Sequence, residues 1–194
     1  MMDPARRPDR MARNLLRGVL RLACFHSDGL RYFGATPAAF LNSLAPWIAF
    51  PLVGSILMLL GGGGRQALVY LLFTCVMLLT PPVLSERLAH FWRRDEAWLR
   101  YAVAVNWCQW VMPMLGTACV LGLAIAGLPE SAAWDIALAL LTIYTLALHW
   151  FLARRGLGIS PLRAVVFVGI VNIGTGVLVI GPLLLGMAMN GSAR

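Results

Sequence analysis

The chain has 194 residues, 60% of them hydrophobic and only 12% charged, with a mean hydropathy of +0.77. Soluble domains carry about 45–50% apolar and about 25% charged residues, so this composition excludes a globular cytosolic enzyme and a disordered chain. The net charge of +8 is made by sixteen arginines and no lysine, which suggests a GC-rich bacterial gene, and the arginines flank apolar blocks as they do beside an anionic lipid surface rather than nucleic acid.

The first 36 residues form a basic cytoplasmic segment, too long in its charged part for a cleavable signal. A helix is expected over about 10–26. On a helical wheel Arg10, Arg13, Arg17 and Arg21 fall within about 80° of one another, and Met11, Leu15, Val19, Leu22 and Ala23 fall opposite. This predicts a basic amphipathic helix lying at the membrane interface, its arginines on anionic headgroups and its apolar face in the headgroup boundary. Ser27, Asp28 and Gly29 read as the turn into the first span.

Five apolar blocks follow, each long enough for roughly 30 Å of hydrocarbon. They cover about 37–60, 67–84, 102–127, 132–152 and 163–189, leaving 190–194 as a short external tail. Thr36-Pro37 and Ser160-Pro161 each place a capping hydroxyl before a first-turn proline. The glycines from 61 to 64 and Gly127-Leu128-Pro129 read as stops. Pro46 and Pro51 predict a kink in the first span. Fourteen arginines fall on one set of alternate sides and two on the other, which predicts an odd number of spans, a cytoplasmic amino terminus and an external carboxyl terminus. The fold class is therefore an all-α, five-span polytopic protein of the bacterial inner membrane.

The connection at 85–100 reads as a solvated cytoplasmic helix. Glu86, His90 and Arg94 stack on one face, and Phe91, Trp92 and Trp98 act as interface anchors. The four cysteines are too scattered for a disulfide set. Neither a catalytic motif nor a metal-ligand cluster is legible, and no cofactor is expected.

Polar residues inside the spans carry what functional signal there is. Asn42, Asn106, Gln109 and Asn172 form a candidate intramembrane cluster between spans one, three and five. The expected role is packing glue: amides and threonines bonding directly between helices in a filled interior, with Asn106 and Gln109 directed at Asn42 or Asn172. The alternative role is a ligand site, which requires a cavity of roughly 300 Å³ or more beside them. Asp135 and His149 read as interfacial residues at opposite ends of the fourth span, and Ala118, Gly122 and Ala126 as a small-residue packing row.

This layout resembles the Yip-type family of small five-span membrane proteins, in particular its bacterial branch. The shared features are the cytoplasmic segment, the five closely spaced spans, Phe33, Pro37 and Phe40 ahead of and within the first span, and the run from Asp28 to Phe33. The resemblance implies no catalytic residues. The functional expectation is a non-enzymatic scaffold or accessory subunit, meeting anionic lipid and a membrane partner or a second copy of itself. A small permease component that would need dimerisation is the alternative, and a membrane-embedded lipid-modifying enzyme the third reading.

Overall fold

The computed structural model describes the backbone of residues 6–191 and the side chains of residues 13–181. All regular structure among the described residues is helical. Helix α1 covers Arg6–Ala23, a 3-10 helix covers Ser27–Tyr32, and the remaining helices are α2 (Pro37–Leu60), α3 (Gly64–Phe91), α4 (Asp95–Cys108), α5 (Val111–Ile125), α6 (Glu130–Gly156) and α7 (Pro161–Gly191). With α4 and α5 taken as one broken helix, five helices are long and apolar enough to cross a membrane. Most of their apolar surface faces outward, as a lipid solvent allows.

The start and stop signals act as local physics requires. Thr36 Oγ1 accepts from Ala39 N at 3.2 Å, and Ser160 Oγ accepts from Arg163 N at 3.4 Å, so both capping hydroxyls hold orphan first-turn donors. Gly62 and Gly127 take the left-handed conformation after α2 and α5, with φ of +84° and +85°, which glycine adopts without a Cβ clash.

Several boundaries differ from the sequence-based expectation. Helix α1 begins at Arg6 and ends at Ala23, because Cys24 and Phe25 turn the chain, Phe25 with φ of +59°, and a 3-10 helix replaces a simple turn. The helix of the second span does not end near residue 84 but continues through Pro81 and Pro82 to Phe91. What read as a separate cytoplasmic helix is thus the end of α3, a turn through Trp92 and Arg93, and the start of α4. The stack of Glu86, His90 and Arg94 is broken for the same reason. His90 Nδ1 instead meets Asp95 Oδ1 at 2.7 Å across the turn. Trp92 and Trp98, both half-buried, have partners within the protein: Trp92 packs on Phe167, and Trp98 lies against Phe40 while its Nε1 donates to Ser85 Oγ at 3.1 Å.

The third span is the one that is interrupted. Helix α2 runs unbroken through Pro46 and Pro51, whereas α4 and α5 are separated at Gln109 and Trp110. Pro113 has no N–H to give the Gln109 carbonyl, and that carbonyl accepts from Met112 N at 3.2 Å instead. Trp110 N turns back to the Trp107 carbonyl at 3.3 Å.

The best-packed core lies at the arginine-rich end of the bundle. Leu22 from α1, Phe33, Tyr101 and Val103 from α4, Leu148 and Leu152 from α6, and Phe167 from α7 are all buried there. Helix α1 is part of this core. Its Val19 and Leu22 are buried against the bundle, the Ala23 carbonyl accepts from the Tyr144 hydroxyl at 2.7 Å, and Phe25 packs edge-on to Tyr144 and Phe151 of α6. The apolar face expected to enter the headgroup boundary is therefore covered by the protein itself at Leu15, Val19 and Leu22, while the Met11 side chain lies outside the described residues. By contrast α5 contributes no buried residue and, among the described residues, packs closely on α6 and its own continuation α4 alone, so the bundle opens there.

Candidate functional site

Where α5 parts from the other helices, a cavity of about 680 Å³ remains. It lies among α2, α3, the α4–α5 break, α6 and α7. Trp47, Phe50 and Pro51 of α2 form one wall, and Tyr70, Thr74, Met77 and Leu78 of α3 another. Asn106, Gln109 and Trp110 enter at the break, His149 from α6, and Asn172 and Thr175 from α7. At 1.5 Å per residue, Trp47 and Asn172 stand roughly 15 Å in from the starts of their helices, which is close to half of a hydrocarbon layer about 30 Å thick. Among the described residues no carboxylate or guanidinium lines this cavity.

Three residues of the sequence-based cluster reach the cavity wall and one does not. Asn106, Gln109 and Asn172 line it. Asn42 does not: it is exposed on the outer side of α2. One position further round that helix, Ser43 is fully buried, and its hydroxyl accepts from Asn106 Nδ2 at 2.9 Å. Neither Asn42 nor Asn172 is the partner of Asn106.

Most of the expected interhelical glue is not interhelical. Asn172 Nδ2 donates to the Val168 carbonyl of its own helix at 2.8 Å, and Thr142 and Thr175 return to Leu138 and Val171 in the same way. Such back-bonding to the preceding turn satisfies a side-chain donor with no neighbour at all. Asn106 is the member of the cluster whose amide crosses between helices. The row of Ala118, Gly122 and Ala126 also faces outward, while Gly116 makes the close approach of α5 to Leu141 of α6.

The helix break shapes the site. Because Trp110 N is diverted to Trp107, the Asn106 carbonyl loses its usual donor, and Trp47 Nε1 of α2 takes it at 3.3 Å. The two indoles then stack, Trp47 against Trp110 with ring centres 4.6 Å apart, and Phe50 joins them at 5.7 Å. This aromatic cluster bridges α2 to the head of α5. Trp110 Nε1 is buried there without a hydrogen-bond partner. In hydrocarbon an unpaired donor is costly, and Trp110 lies on the cavity wall.

His149, read as interfacial, lines the cavity half-buried, and Asp135 is exposed near the start of α6. Sequence reasoning missed the whole α3 wall, whose Tyr70 and Thr74 lie one turn apart in an otherwise apolar run. It also missed the break. Pro113 four residues after Gln109 was the readable signal, since a proline removes the donor to the fourth carbonyl before it. Among the described residues no cluster of three or more His, Cys, Asp or Glu side chains suits a metal ion.

No protein-family model, no curated protein and no solved structure matches this chain. The likeness to Yip-type proteins therefore rests on layout alone.

Proposed function

We propose that this chain is a multi-pass protein of a bacterial inner membrane and the binding component of a small permease, taking up a neutral lipophilic molecule in its midplane cavity. The observation that carries this reading is the broken third span opening onto about 680 Å³ of space. Irregular backbone at membrane depth is stable where it lines a cavity, and transporters place their substrates at such discontinuous helices near the midplane. The volume lies within the range of small-molecule sites and is about twice what the ligand-site alternative required.

The lining selects the ligand class. Aromatic and aliphatic walls suit an apolar body, and the absence of a charged lining residue disfavours an ion. The polar groups carry no fixed charge and make up the smaller part of a mostly apolar wall. Trp110 Nε1 is a donor only, so it asks for an acceptor, and the Gln109 and Asn172 amides can both give and accept. A lipophile bearing a carbonyl or hydroxyl group fits all three. The scaffold reading needs a filled interior, and the cavity weighs against it, although the outward row of Ala118, Gly122 and Ala126 suits close approach by a second copy.

The test is to extract the purified full-length protein from native membranes and identify its retained small molecules by mass spectrometry. A neutral lipophile should be present near one per chain and fall at least tenfold in the Gln109→Leu variant. Equal retention by that variant, or none by the native protein, would remove the cavity as a binding site.

A further inference from the structure

Docking of α1 on the bundle changes which of its surfaces is left for a ligand. Between the docked face and the arginines, Leu16 and Leu20 stay 60% and 56% exposed. Arg13 and Arg17 run alongside them one turn apart, both exposed, and His26 closes the carboxyl end. Together they frame an open groove of about 510 Å³. Among the described residues no acidic side chain lines it. The nearby carboxylate, Asp28, is held by Arg21 and by Arg31, the latter at 3.3 Å. Of the arginines on the groove, Arg21 shares the Asp28 carboxylate with Arg31, and among the described residues Arg13 and Arg17 have no carboxylate partner.

We propose that this groove holds one anionic phospholipid, its phosphate on Arg13 and Arg17 and an acyl chain along Leu16 and Leu20. The two chemistries lie side by side at helical spacing, as the two parts of a lipid require. Guanidinium forks match phosphate oxygens bidentately, and a soluble phosphate would leave the leucines in water. Position argues for the same occupant. The carboxyl end of α1 is fixed to α6, a spanning helix, through Tyr144 and Phe151, so the groove is carried at the rim of the bundle where headgroups begin. This site is independent of the midplane cavity and survives if that cavity binds nothing. It also differs from general adsorption of a basic helix, because the strong apolar face of α1 is unavailable and Arg21 is engaged.

The experiment uses the full-length protein in nanodiscs of dioleoylphosphatidylcholine containing a small fraction of dioleoylphosphatidylglycerol, released and weighed by native mass spectrometry. The native chain should retain one phosphatidylglycerol with at least tenfold preference over phosphatidylcholine. The Arg13→Gln, Arg17→Gln double variant should weaken retention roughly thirtyfold, as two basic contacts at an anionic surface imply. Leu16→Gln with Leu20→Gln should weaken it as well, and Arg93→Gln with Arg94→Gln should not. All these side chains are exposed, and a thermal melt checks that each variant keeps its fold. Equal retention of the two lipids would overturn the proposal. So would an unaffected arginine variant, or loss of binding on changing Arg93 and Arg94. Displacement of the lipid by millimolar glycerol 3-phosphate would assign the site to soluble phosphates instead and also overturn it.

Discussion

Asn106 on α4 and Ser43 on α2 hold their helices together with one buried bond, Nδ2 to Oγ at 2.9 Å. The serine is itself anchored, since its hydroxyl donates to the Phe40 carbonyl at 2.7 Å. Its oxygen is thus oriented to accept. The chain Asn106 to Ser43 to Phe40 is completed by Trp47, which binds the Asn106 main-chain carbonyl. One asparagine therefore ties α2 to α4 through both its side chain and its backbone, next to the helix break.

Asn106→Leu keeps volume and removes the side-chain half of this tie. Polar pairs between membrane helices contribute about 0.6–2 kcal/mol, so a modest fall of the melting temperature in detergent is expected. Ser43→Ala alone should cost a similar amount, and the double variant little more than either. A double-mutant cycle that returns no coupling would show that the bond does not contribute to stability.

Gly29 is the tightest joint between α1 and the 3-10 helix. A Cβ there would stand 2.8 Å from Leu22 Cγ and 2.9 Å from the Gly18 carbonyl oxygen. Neither can yield, one being in the buried core and the other backbone. Gly29→Ala should destabilise by about 1–3 kcal/mol, the range for overpacking, and should loosen α1 from α6. Proteolysis near Phe25 would report the loosening. Gly122→Ala, with nothing within 4 Å of its added Cβ, is the control and should leave the melt unchanged or raise it slightly through helix propensity.

What was legible in the sequence follows from how membranes simplify folding. Span count, the Thr36 and Ser160 caps and the Gly62 and Gly127 turns depend on local residues and hydrocarbon thickness, and they could be read directly. Pairing between helices depends on rotation about each axis, and in lipid no hydrophobic contrast marks the inner face. Hence Asn42 and Ser43, neighbours in sequence, exchanged roles. The same degeneracy concealed Trp92 and Trp98, whose amphipathic rings suit an interface as well as a core. Pro46, Pro51 and Pro113 were equally visible. The first two lie within the continuous helix α2, whereas α4 and α5 part just before the last, where Trp47 Nε1 reaches the Asn106 carbonyl that Trp110 N has left.

Orientation is the next testable expectation, carried by the arginine distribution. Cys24 is exposed beside α1, and the turn at Gly127 lies at the other end of the bundle. With Cys75, Cys108 and Cys119 replaced by Ser, a membrane-impermeant maleimide added to intact cells should leave Cys24 unlabelled and react with it after lysis. A cysteine placed at Glu130, in a chain also lacking Cys24, should react from outside. Labelling of Cys24 in intact cells would invert the arrangement and leave fourteen arginines on the external side.

Trp110 separates a ligand site from an empty defect in the packing. Its Nε1 is buried and unpaired, whereas its ring is held by Trp47 and Phe50. Phenylalanine at this position keeps an aromatic body in the cluster and deletes the donor. An unmet buried donor costs about 1–3 kcal/mol, so in the ligand-free protein Trp110→Phe should be neutral or stabilising despite its smaller ring. With a bound lipophile whose carbonyl accepts from the indole, the sign reverses, because the variant then loses a hydrogen bond made in a dry site. Melting curves of the protein purified with its native lipids and after exhaustive delipidation give both signs in one comparison. The native chain should lose stability on delipidation, and Trp110→Phe should lose much less. Equal losses in the two proteins would show that no ligand accepts from Trp110, and the donor on the cavity wall would then have no part in binding.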